Sequence, residues 1–441
     1  MKYIQFLLLV LTGFSALAED ISGVDIAIEK QGDKLWKLTY QMDRPASRIS
    51  FVRNPDASRI KRWKSVSPEF ELVSMDGEEF LVRKDRSSFE HIEIYLTPSY
   101  ISLPKDYAPF SPYSDGGSLI YTGRFFACID NCDDKVKAWR ITMQVPPGEH
   151  MIINGKINVG TASWIDRDNG MNVYVGTQEP INTASVVAVI DNGLPEKLRL
   201  SLESDIPRLM SYFEQRLGAL SGTKPALYAS YANVDDNSWQ GGTLPHQVFM
   251  HWNMNELDGK FSDPNFINET IWFFAHEVAH LYQQGSETGL YGDANESWLH
   301  EGNADWLAAL ALLDLYPESS KYVSNKIKAF KESCTKGVKE IPLVEAANRG
   351  RFDLYYSCGL LIHRAIDLFL QGENTDPSNI FSMWSSFRQE VEGGGEKGAD
   401  TFLVLLSQRE GAAELVNSIE LLLDGKPSSV GVALDQLTYG L

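Results

Sequence analysis

The chain has 441 residues, enough for two or three packed domains, and 43% of them are hydrophobic, which excludes a wholly disordered protein. Its formal net charge of -19 at pH 7 argues against nucleic acid as the main partner, because an acidic surface repels a polyanion. This balance is typical of a protein that works outside the cytoplasm, and it names no substrate.

The first 18 residues have the pattern of a secretory signal peptide. Lys2 gives a short positive start, residues 6–11 form an apolar core, and the Ala-Leu-Ala that ends at Ala18 has the form of a cleavage site. The apolar run is too short to span a bilayer. We therefore expect an exported protein, periplasmic or secreted, whose mature chain starts near Glu19, and no later segment predicts a membrane span.

Four cysteines, Cys128, Cys132, Cys334 and Cys358, make an even set. In an exported chain an even count favours disulfides. Proximity in sequence predicts the pairs Cys128–Cys132 and Cys334–Cys358, while the other pairings remain open.

Residues 19–195 carry mostly β signals. Short alternating runs such as 92–96 and 139–143 are separated by turn pairs, including Asp76-Gly77 and Pro147-Gly148. This pattern predicts an antiparallel β domain that contains no catalytic cluster.

The pattern changes after residue 195, and we expect an α/β unit over 196–318 followed by a helical region over 319–441. Helical spacing over 203–217 precedes two extended runs, and Gly241-Gly242 predicts a break between them. Two helices follow. The expected bounds are 226–231 and 244–252 for the extended runs, and 269–284 and 296–316 for the helices.

The first of these two helices carries His276-Glu277-Val278-Ala279-His280. Residues four apart share a helix face, so His276 and His280 can present two imidazole nitrogens to one metal ion. Glu277 lies about 100° round the helix, where it reaches a water beside the metal without binding the metal itself. Zinc lowers the pKa of its bound water, and a neighbouring carboxylate can take the proton.

A catalytic zinc needs a third protein ligand and one open position. Glu296 and Glu301 both fall near the start of the second helix. A carboxylate at a helix start is favoured by the helix dipole whatever its function, which gives Glu296 a second explanation. Glu301 is the preferred ligand, because it belongs to the segment Trp298-Leu299-His300-Glu301-Gly302.

Together, these two segments resemble the gluzincin zinc metallopeptidases. In those enzymes a glutamate from a second helix completes a site of two histidines and one glutamate, and the Trp-Leu-x-Glu-Gly context resembles the alanyl- and glycyl-aminopeptidase branches. The resemblance implies one Zn²⁺ per chain, held by His276, His280 and Glu301. It also implies a thermolysin-like catalytic domain, which makes the whole chain an α+β protein with a β domain before it and a helical region after it.

The resemblance extends to two further residues. Asp305 matches the aspartate of thermolysin-like enzymes that accepts a hydrogen bond from a zinc-bound histidine. Tyr356 matches the tyrosine of the aminopeptidase Tyr-x-Lys-Gly segment, whose hydroxyl stabilises the oxyanion. The family's lysine is replaced here by Cys358.

The substrate segment departs further from the family. Gly241 and Gly242 resemble the paired glycines of the glycyl-aminopeptidase branch, and glycines on an edge strand let a peptide backbone approach closely. The glutamate that binds the substrate's free amine in these aminopeptidases is missing, and Glu296, Asp235 and Asp236 are candidate substitutes. An ordinary tight turn is the alternative explanation for the two glycines.

From the residues and the resemblance together, the sequence predicts an exported zinc metallopeptidase in which Glu277 is the general base and a peptide or protein is the substrate. Aminopeptidase-like action is favoured slightly. A zinc endopeptidase and a catalytically silent protein that binds peptides on the same fold are the alternatives.

Overall fold

We describe the protein from a computed structural model that covers residues 21–32, 34–103, 106–133, 136–283, 290–372, 378–425 and 427–438. The expected signal peptide lies outside these residues. Within them, none of the helices combines the length and the apolar character needed to cross a bilayer.

The N-terminal part is built from strands, as the sequence predicts. In β1 every second residue, Val24, Ile26 and Ile28, points into the core, because side chains on a strand alternate between its two faces. The elements are β1 (Val24–Gly32), β2 (Leu35–Ala46), β3 (Ile49–Phe51), α1 (Ser58–Arg62), β4 (Lys64–Ser65), β5 (Phe70–Met75), β6 (Glu78–Arg83), β7 (Phe89–Leu96), β8 (Phe110–Pro112), β9 (Ser118–Tyr121), β10 (Ala127–Ile129), β11 (Ala138–Gln144), β12 (His150–Ile153), β13 (Lys156–Val159), β14 (Thr161–Arg167) and β15 (Asn172–Gly176).

These strands form three sheets, with orders β14-β11-β1-β2-β7-β4, β10-β3-β6-β5 and β13-β12-β15-β9-β8. The pairings are antiparallel except for β1 with β11, which is parallel. The turn predicted at Asp76-Gly77 joins β5 to β6, and both of its residues have positive φ. The predicted Cys128–Cys132 disulfide is confirmed.

A fourth sheet, of order β16-β17-β18-β20-β19, supports the helices. Its central strands are buried on both faces, because the β sheets pack on one side and helices on the other. The strands are β16 (Ile181–Asn182), β17 (Val187–Ile190), β18 (Ala226–Ala232), β19 (Asn237–Leu244) and β20 (Gln247–Met254). Since β16 and β17 precede residue 195 and belong to this sheet, the domain boundary expected there stays a prediction.

One local expectation is wrong. Gly241 and Gly242 lie inside β19, at the edge of the fourth sheet, and do not break the chain. A Cβ at Gly241 would clash with Phe273, and a Cβ at Gly242 would clash with Tyr107. The chain turns instead at Pro245-His246, where His246 has a φ of 57°. The glycines therefore reflect close approach within a strand, which is the other common use of glycine there.

Helices complete the molecule. The helices predicted at 203–217, 269–284 and 296–316 are all present, but the first begins at Glu196 and the second at Pro264, earlier than predicted. In chain order the helices are α2 (Glu196–Leu217), α3 (Leu257–Lys260), α4 (Pro264–Gln283), α5 (Ser297–Leu315), α6 (Ser320–Gly337), α7 (Asp353–Gln371), α8 (Ile380–Glu392), α9 (Ala399–Ser407), α10 (Ala413–Asp424) and α11 (Pro427–Leu437).

The helices α4, α5 and α7 form the centre of this layer. Residues of α4 from Thr270 to Gln283 are buried apart from Phe273, so the second half of the helix is enclosed on nearly all sides. The α5 helix packs against both α4 and α7, and the Cys334–Cys358 disulfide, predicted by proximity, ties α6 to α7. The α+β fold class is therefore confirmed, with a β-rich N-terminal part, an α/β unit and a helical C-terminal region.

Candidate metal and active site

Three side chains converge between α4 and α5. His276 and His280 lie one turn apart on α4, and their Nε2 atoms are 2.9 Å from each other. Glu301 reaches them from α5, with its Oε2 atom 3.1 Å from His276 Nε2 and 3.2 Å from His280 Nε2. The three ligand atoms therefore meet at one point, because helical spacing brings residues i and i+4 to one face.

The outer ring nitrogen of each histidine has its own acceptor. His276 Nδ1 lies 3.0 Å from Asp305 Oδ1, which also accepts a hydrogen bond from the Trp272 indole at 2.8 Å. His280 Nδ1 lies 2.7 Å from Gln283 Oε1. The Gln283 amide donates to the carbonyl of His300 at 3.0 Å, and this contact turns its oxygen towards His280.

These contacts fit a metal ion. In the neutral imidazole, an Nδ1 that donates to an oxygen leaves a lone pair on Nε2. Two ring nitrogens and a carboxylate oxygen then face one another as acceptors, and a cation satisfies all three. Two histidines and one carboxylate, each held by a further hydrogen bond or by burial, form a donor set suited to zinc with an open position. Asp305 occupies the place that the resemblance implies, beside His276.

Glu277 lies on the next face of α4, where it is 8% exposed. The Thr243 hydroxyl of β19 lies 2.7 Å from its Oε2 atom. Burial raises the pKa of Glu277, and the imidazoles of His276 and His280 oppose that rise. A carboxylate with a raised pKa beside an open ligand position is suited to taking up a proton.

Tyr356 of α7 packs against the metal-ligand cluster, the group formed by His276, His280 and Glu301. Its ring stacks on that of His276, with 5.7 Å between centroids and 30° between planes. Burial raises the pKa of its phenol well above the usual value, and the carboxylates of Glu301 and Glu277 raise it further, so the hydroxyl keeps its proton. The neighbouring Tyr355 is buried and accepts a hydrogen bond from the Ala347 amide at 2.9 Å, which is a structural contact.

Two glycines set the distance between α5 and α7. Gly302 follows Glu301, and Gly359 lies one turn after Tyr356. A Cβ built on Gly359 would lie 2.7 Å from the Gly302 Cα atom and 2.6 Å from the Trp298 carbonyl oxygen. The two helices therefore cross with their backbones in contact, which is possible only where side chains are absent.

The metal-ligand residues, Glu277 and Tyr356 border one cavity of about 1170 Å³. Its walls come from the β-rich N-terminal part, from the fourth sheet and from the helices. Its lining includes the eight residues that the sequence singled out, namely His276, Glu277, His280, Glu301, Asp305, Tyr356, Gly241 and Gly242. The strand β19 forms one wall. Gly241 lies against Phe273 of α4, and Gly242 lies against Tyr107 of the β-rich part.

The three candidate anchors for a substrate amine lie outside the cavity lining. The Glu296 carboxylate accepts a hydrogen bond from the Gly292 amide at 2.9 Å, and neither Asp235 nor Asp236 lines the cavity. Glu296 is also absent from the group of potential metal ligands. Of the two rival third ligands, the structure brings only Glu301 to the histidines.

Several residues of the site were missed in the sequence. Thr243 and Tyr107 belong to no motif and reach the site through the sheet edge and the β-rich part. His300 also lines the cavity, with its Nε2 atom 3.4 Å from Glu301 Oε1. Its place directly before Glu301 was the one available signal. Tyr291 stacks on its ring at 4.1 Å.

Known proteins share this fold at low sequence identity. No family model and no curated protein matches the sequence. A solved aminopeptidase N family protein from Idiomarina loihiensis has a TM-score of 0.63 and 11% identity, with 91% of this chain and 76% of that chain covered. A mutant M1 zinc metallopeptidase from Deinococcus radiodurans, bound to a Tyr-Ser-Ala substrate, has a TM-score of 0.53 and 14% identity, with 92% and 94% covered.

Yeast LTA4 hydrolase, solved with bestatin, has a TM-score of 0.53 and 11% identity, with 92% of this chain and 67% of that chain covered. Likeness at this level of identity establishes the fold. One of these neighbours is an aminopeptidase N family protein and another is an M1 zinc metallopeptidase. The resemblance to gluzincins, and the narrower match to the alanyl- and glycyl-aminopeptidase branches, stay predictions.

Proposed function

We propose that this protein is an exported, zinc-dependent peptidase that hydrolyses peptide bonds in the cavity between β19 and α4. The observation that carries the proposal is the convergence of three acceptor atoms, from His276, His280 and Glu301, beside a buried carboxylate on the same helix. Zinc bound there would act as a Lewis acid on the scissile carbonyl and make water a stronger nucleophile.

Side chains of the protein carry out proton transfer, stabilise the oxyanion and orient the metal ligands. Glu277 takes a proton from the attacking water and delivers it to the departing amine. The Tyr356 hydroxyl donates a hydrogen bond to the oxygen on which negative charge develops. Thr243 holds the Glu277 carboxylate by the contact at 2.7 Å. Asp305 and Gln283 keep the two imidazoles in the orientation that ligation needs.

The edge strand β19 supplies a place for the substrate backbone. Its pairing to β20 uses one side of the strand, and the other side borders the cavity. An extended peptide can add to such an edge through main-chain hydrogen bonds. Gly241 and Gly242 belong to this edge, and their missing side chains leave room for Phe273 and Tyr107, which line the cavity beside it.

Export is supported by the two disulfides, which persist in oxidising compartments. Aminopeptidase-like action, which the sequence favours slightly over internal cleavage, needs a group that holds a free amine. The proposal therefore covers peptide hydrolysis as such, and the cut position is decided by experiment.

The test is a digest of a mixed peptide library, analysed by mass spectrometry, with the zinc-loaded mature protein and its Glu277→Gln variant side by side. We expect cleavage by the wild type, a loss of about 100-fold or more in the variant, and equal zinc content in both. Removal of single residues from the amino terminus would identify an aminopeptidase, and internal cuts an endopeptidase. Equal product patterns from the two proteins, or none from either, would contradict the proposal.

A further inference from the structure

One end of the cavity is formed by the β-rich part, and it contains two arginines that share one carboxylate. Asp106 Oδ1 lies 3.2 Å from Arg53 Nε, and Asp106 Oδ2 lies 2.9 Å from Arg124 Nη1. The side chains of Asp106 and Arg124 are almost fully buried, whereas that of Arg53 is 28% exposed. The group therefore has one positive charge in excess, on the arginine that faces solvent.

The Arg53 guanidinium has capacity left for a ligand. Its side-chain hydrogen bond within the described chain uses Nε alone, so the two terminal amino groups have no protein partner there. A guanidinium presents its donors in a planar fork that matches a carboxylate, and two parallel hydrogen bonds to one carboxylate are among the stronger polar contacts in proteins. Arg53 lines the same cavity as the metal-ligand cluster.

Tyr107 connects this end to the catalytic centre. Its ring packs against Gly242 of β19. Burial raises the pKa of its phenol, the carboxylates of Glu277 and Glu301 raise it further, and the Arg53 guanidinium lowers it. The Tyr107 ring also lies 5.3 Å from that of Tyr121, and the Arg53 guanidinium lies 5.7 Å from the Tyr121 ring. On its other side, Gly242 is followed by Thr243, whose hydroxyl contacts Glu277 at 2.7 Å, so packed side chains connect Arg53 to the general base.

The carboxylates that line the cavity are already engaged. Glu277 and Glu301 belong to the catalytic set, Asp305 holds His276, and Asp106 is shared by its two arginines. The remaining pair is bound as well, because Glu269 lies 2.8 Å from Lys326 Nζ and Asp353 lies 3.0 Å from Arg351 Nε. Among the described lining residues, each carboxylate therefore already has a protein partner, whereas the Arg53 guanidinium keeps two terminal amino groups without one.

We propose that the cleft end formed by Arg53 and Tyr107 is a subsite for a carboxylate of the substrate, so that the protein prefers peptides with an anionic group near the scissile bond. The inference rests on the proposed peptidase function and adds the substrate class. Two sources of the carboxylate share this chemistry, an Asp or Glu side chain and the free carboxyl terminus of a short peptide.

The experiment measures a preference inside each protein, so a change in overall activity does not affect it. A peptide that the wild type cleaves is made with Glu, Gln or Lys at each of several positions around the cut, all with an amidated carboxyl terminus. A second set compares the free acid with the amide. We measure kcat/KM for the wild type, Arg53→Gln and Lys326→Gln, where Lys326 is the matched control because it lines the cavity and is already paired with Glu269.

We expect one position at which Glu exceeds Gln by about tenfold in kcat/KM, as one charge-assisted contact implies. Arg53→Gln should reduce that ratio to about one, and Lys326→Gln should retain it. If the acid-to-amide ratio, and not the Glu-to-Gln ratio, is the one that depends on Arg53, the carboxylate is the terminal one. Equal ratios in wild type and Arg53→Gln, or a preference for Lys, would overturn the inference.

A binding measurement separates this inference from the proposed function. The same peptides, labelled with a fluorophore, are titrated with zinc-loaded Glu277→Gln protein, with and without Arg53→Gln, and the dissociation constants are read by anisotropy. Glu277-dependent cleavage without any carboxylate preference leaves the peptidase standing and removes the subsite. Arg53-dependent binding of the Glu peptide without cleavage by the wild type keeps the subsite and removes the peptidase.

Discussion

The Thr243 hydroxyl of β19 donates its one hydrogen between two oxygens of Glu277 on α4, the carboxylate Oε2 at 2.7 Å and the backbone carbonyl oxygen at 2.8 Å. The contact joins the strand expected to hold the substrate backbone to the residue expected to accept the proton. A peptide that adds to β19 is thereby placed against a carboxylate whose orientation is already fixed, which shortens the search for a reactive geometry.

Replacing Thr243 by Val should lower kcat by about tenfold with less effect on KM, because the variant keeps the shape of the side chain and loses the donor. Thr243→Ser, which keeps the hydroxyl, should recover most of the rate. Steady-state kinetics on one library-derived peptide, with zinc content measured in parallel, checks both variants. A Val variant as fast as the Ser variant would mean that the hydrogen bond does not position Glu277.

His280→Ala should lose stoichiometric zinc after dialysis, since the site would keep only two protein ligands. His300→Ala is the matched control, because His300 lies beside Glu301 but outside the convergent set. We expect this second variant to retain about one zinc per chain by mass spectrometry of the metal. Full zinc in the first variant, or loss in both, would show that the ligand set is different.

Tyr356→Phe should lower kcat by about 100-fold while zinc content is unchanged, as expected for loss of one donor to a developing oxyanion. Tyr355→Phe removes the adjacent phenol, whose hydroxyl serves the Ala347 amide, and should reduce thermal stability without a comparable loss in kcat. The two variants differ by one position on α7. Similar kinetic losses in both would assign the effect to disruption of the helix.

A pH-dependent prediction concerns Asp166, which is buried in β14 and accepts hydrogen bonds from the Thr122 hydroxyl and the Arg167 amide. Burial raises the pKa of Asp166 to about 6, although these two hydrogen bonds lower it. A carboxyl group whose folded pKa lies above its unfolded pKa contributes its full stability below the unfolded pKa. That contribution is lost as the pH rises through the folded pKa.

Asp166→Asn removes this titration, so the stability difference between variant and wild type should depend on pH. Between about pH 4 and pH 8 it should shift in favour of the Asn variant by about 2 kcal/mol. Urea unfolding followed by tryptophan fluorescence at several pH values measures the difference. A constant difference across that range would show that Asp166 keeps an ordinary pKa in the folded protein.

Gly359→Ala should lower both the unfolding temperature and kcat, because the added methyl group meets the backbone of α5 and forces the helices apart. We expect a loss of about 1–3 kcal/mol of stability. Gly350→Ala provides a contrast on the loop before α7, where a Cβ would meet nothing within 4 Å but would sit at a φ of 68°. A kcat that falls equally in both would assign the change to general destabilisation.

The sequence was sufficient for those parts of the site that depend on helical spacing. The positions of His276, Glu277 and His280 follow from one helical motif, and these residues are fixed relative to one another by local geometry, whatever the rest of the chain does. Glu301 and Asp305 were expected from the resemblance of a second segment, not from spacing.

The residues that close the site could not be found this way. Arg53 and Tyr107 reach the cavity through the packing of the β-rich part on the fourth sheet, and no short motif records that contact. The role of Gly241 and Gly242 was also ambiguous, because glycine serves both turns and close approach within strands. Only the positions of Phe273 and Tyr107 against the two glycines decide between those uses.

The backbone contact between Gly302 and Gly359 fixes the position of α5 relative to α7, although the two helices are far apart in sequence. Glu301 directly precedes Gly302, and Tyr356 lies one turn before Gly359. The distance between the Glu301 carboxylate and the Tyr356 phenol is therefore set by the contact between the two helices. A descendant chain could keep each ligand and the general base, exchange either glycine for a larger residue, and bind metal with its phenol displaced. Intact zinc motifs alone would therefore misidentify such a chain as an active hydrolase.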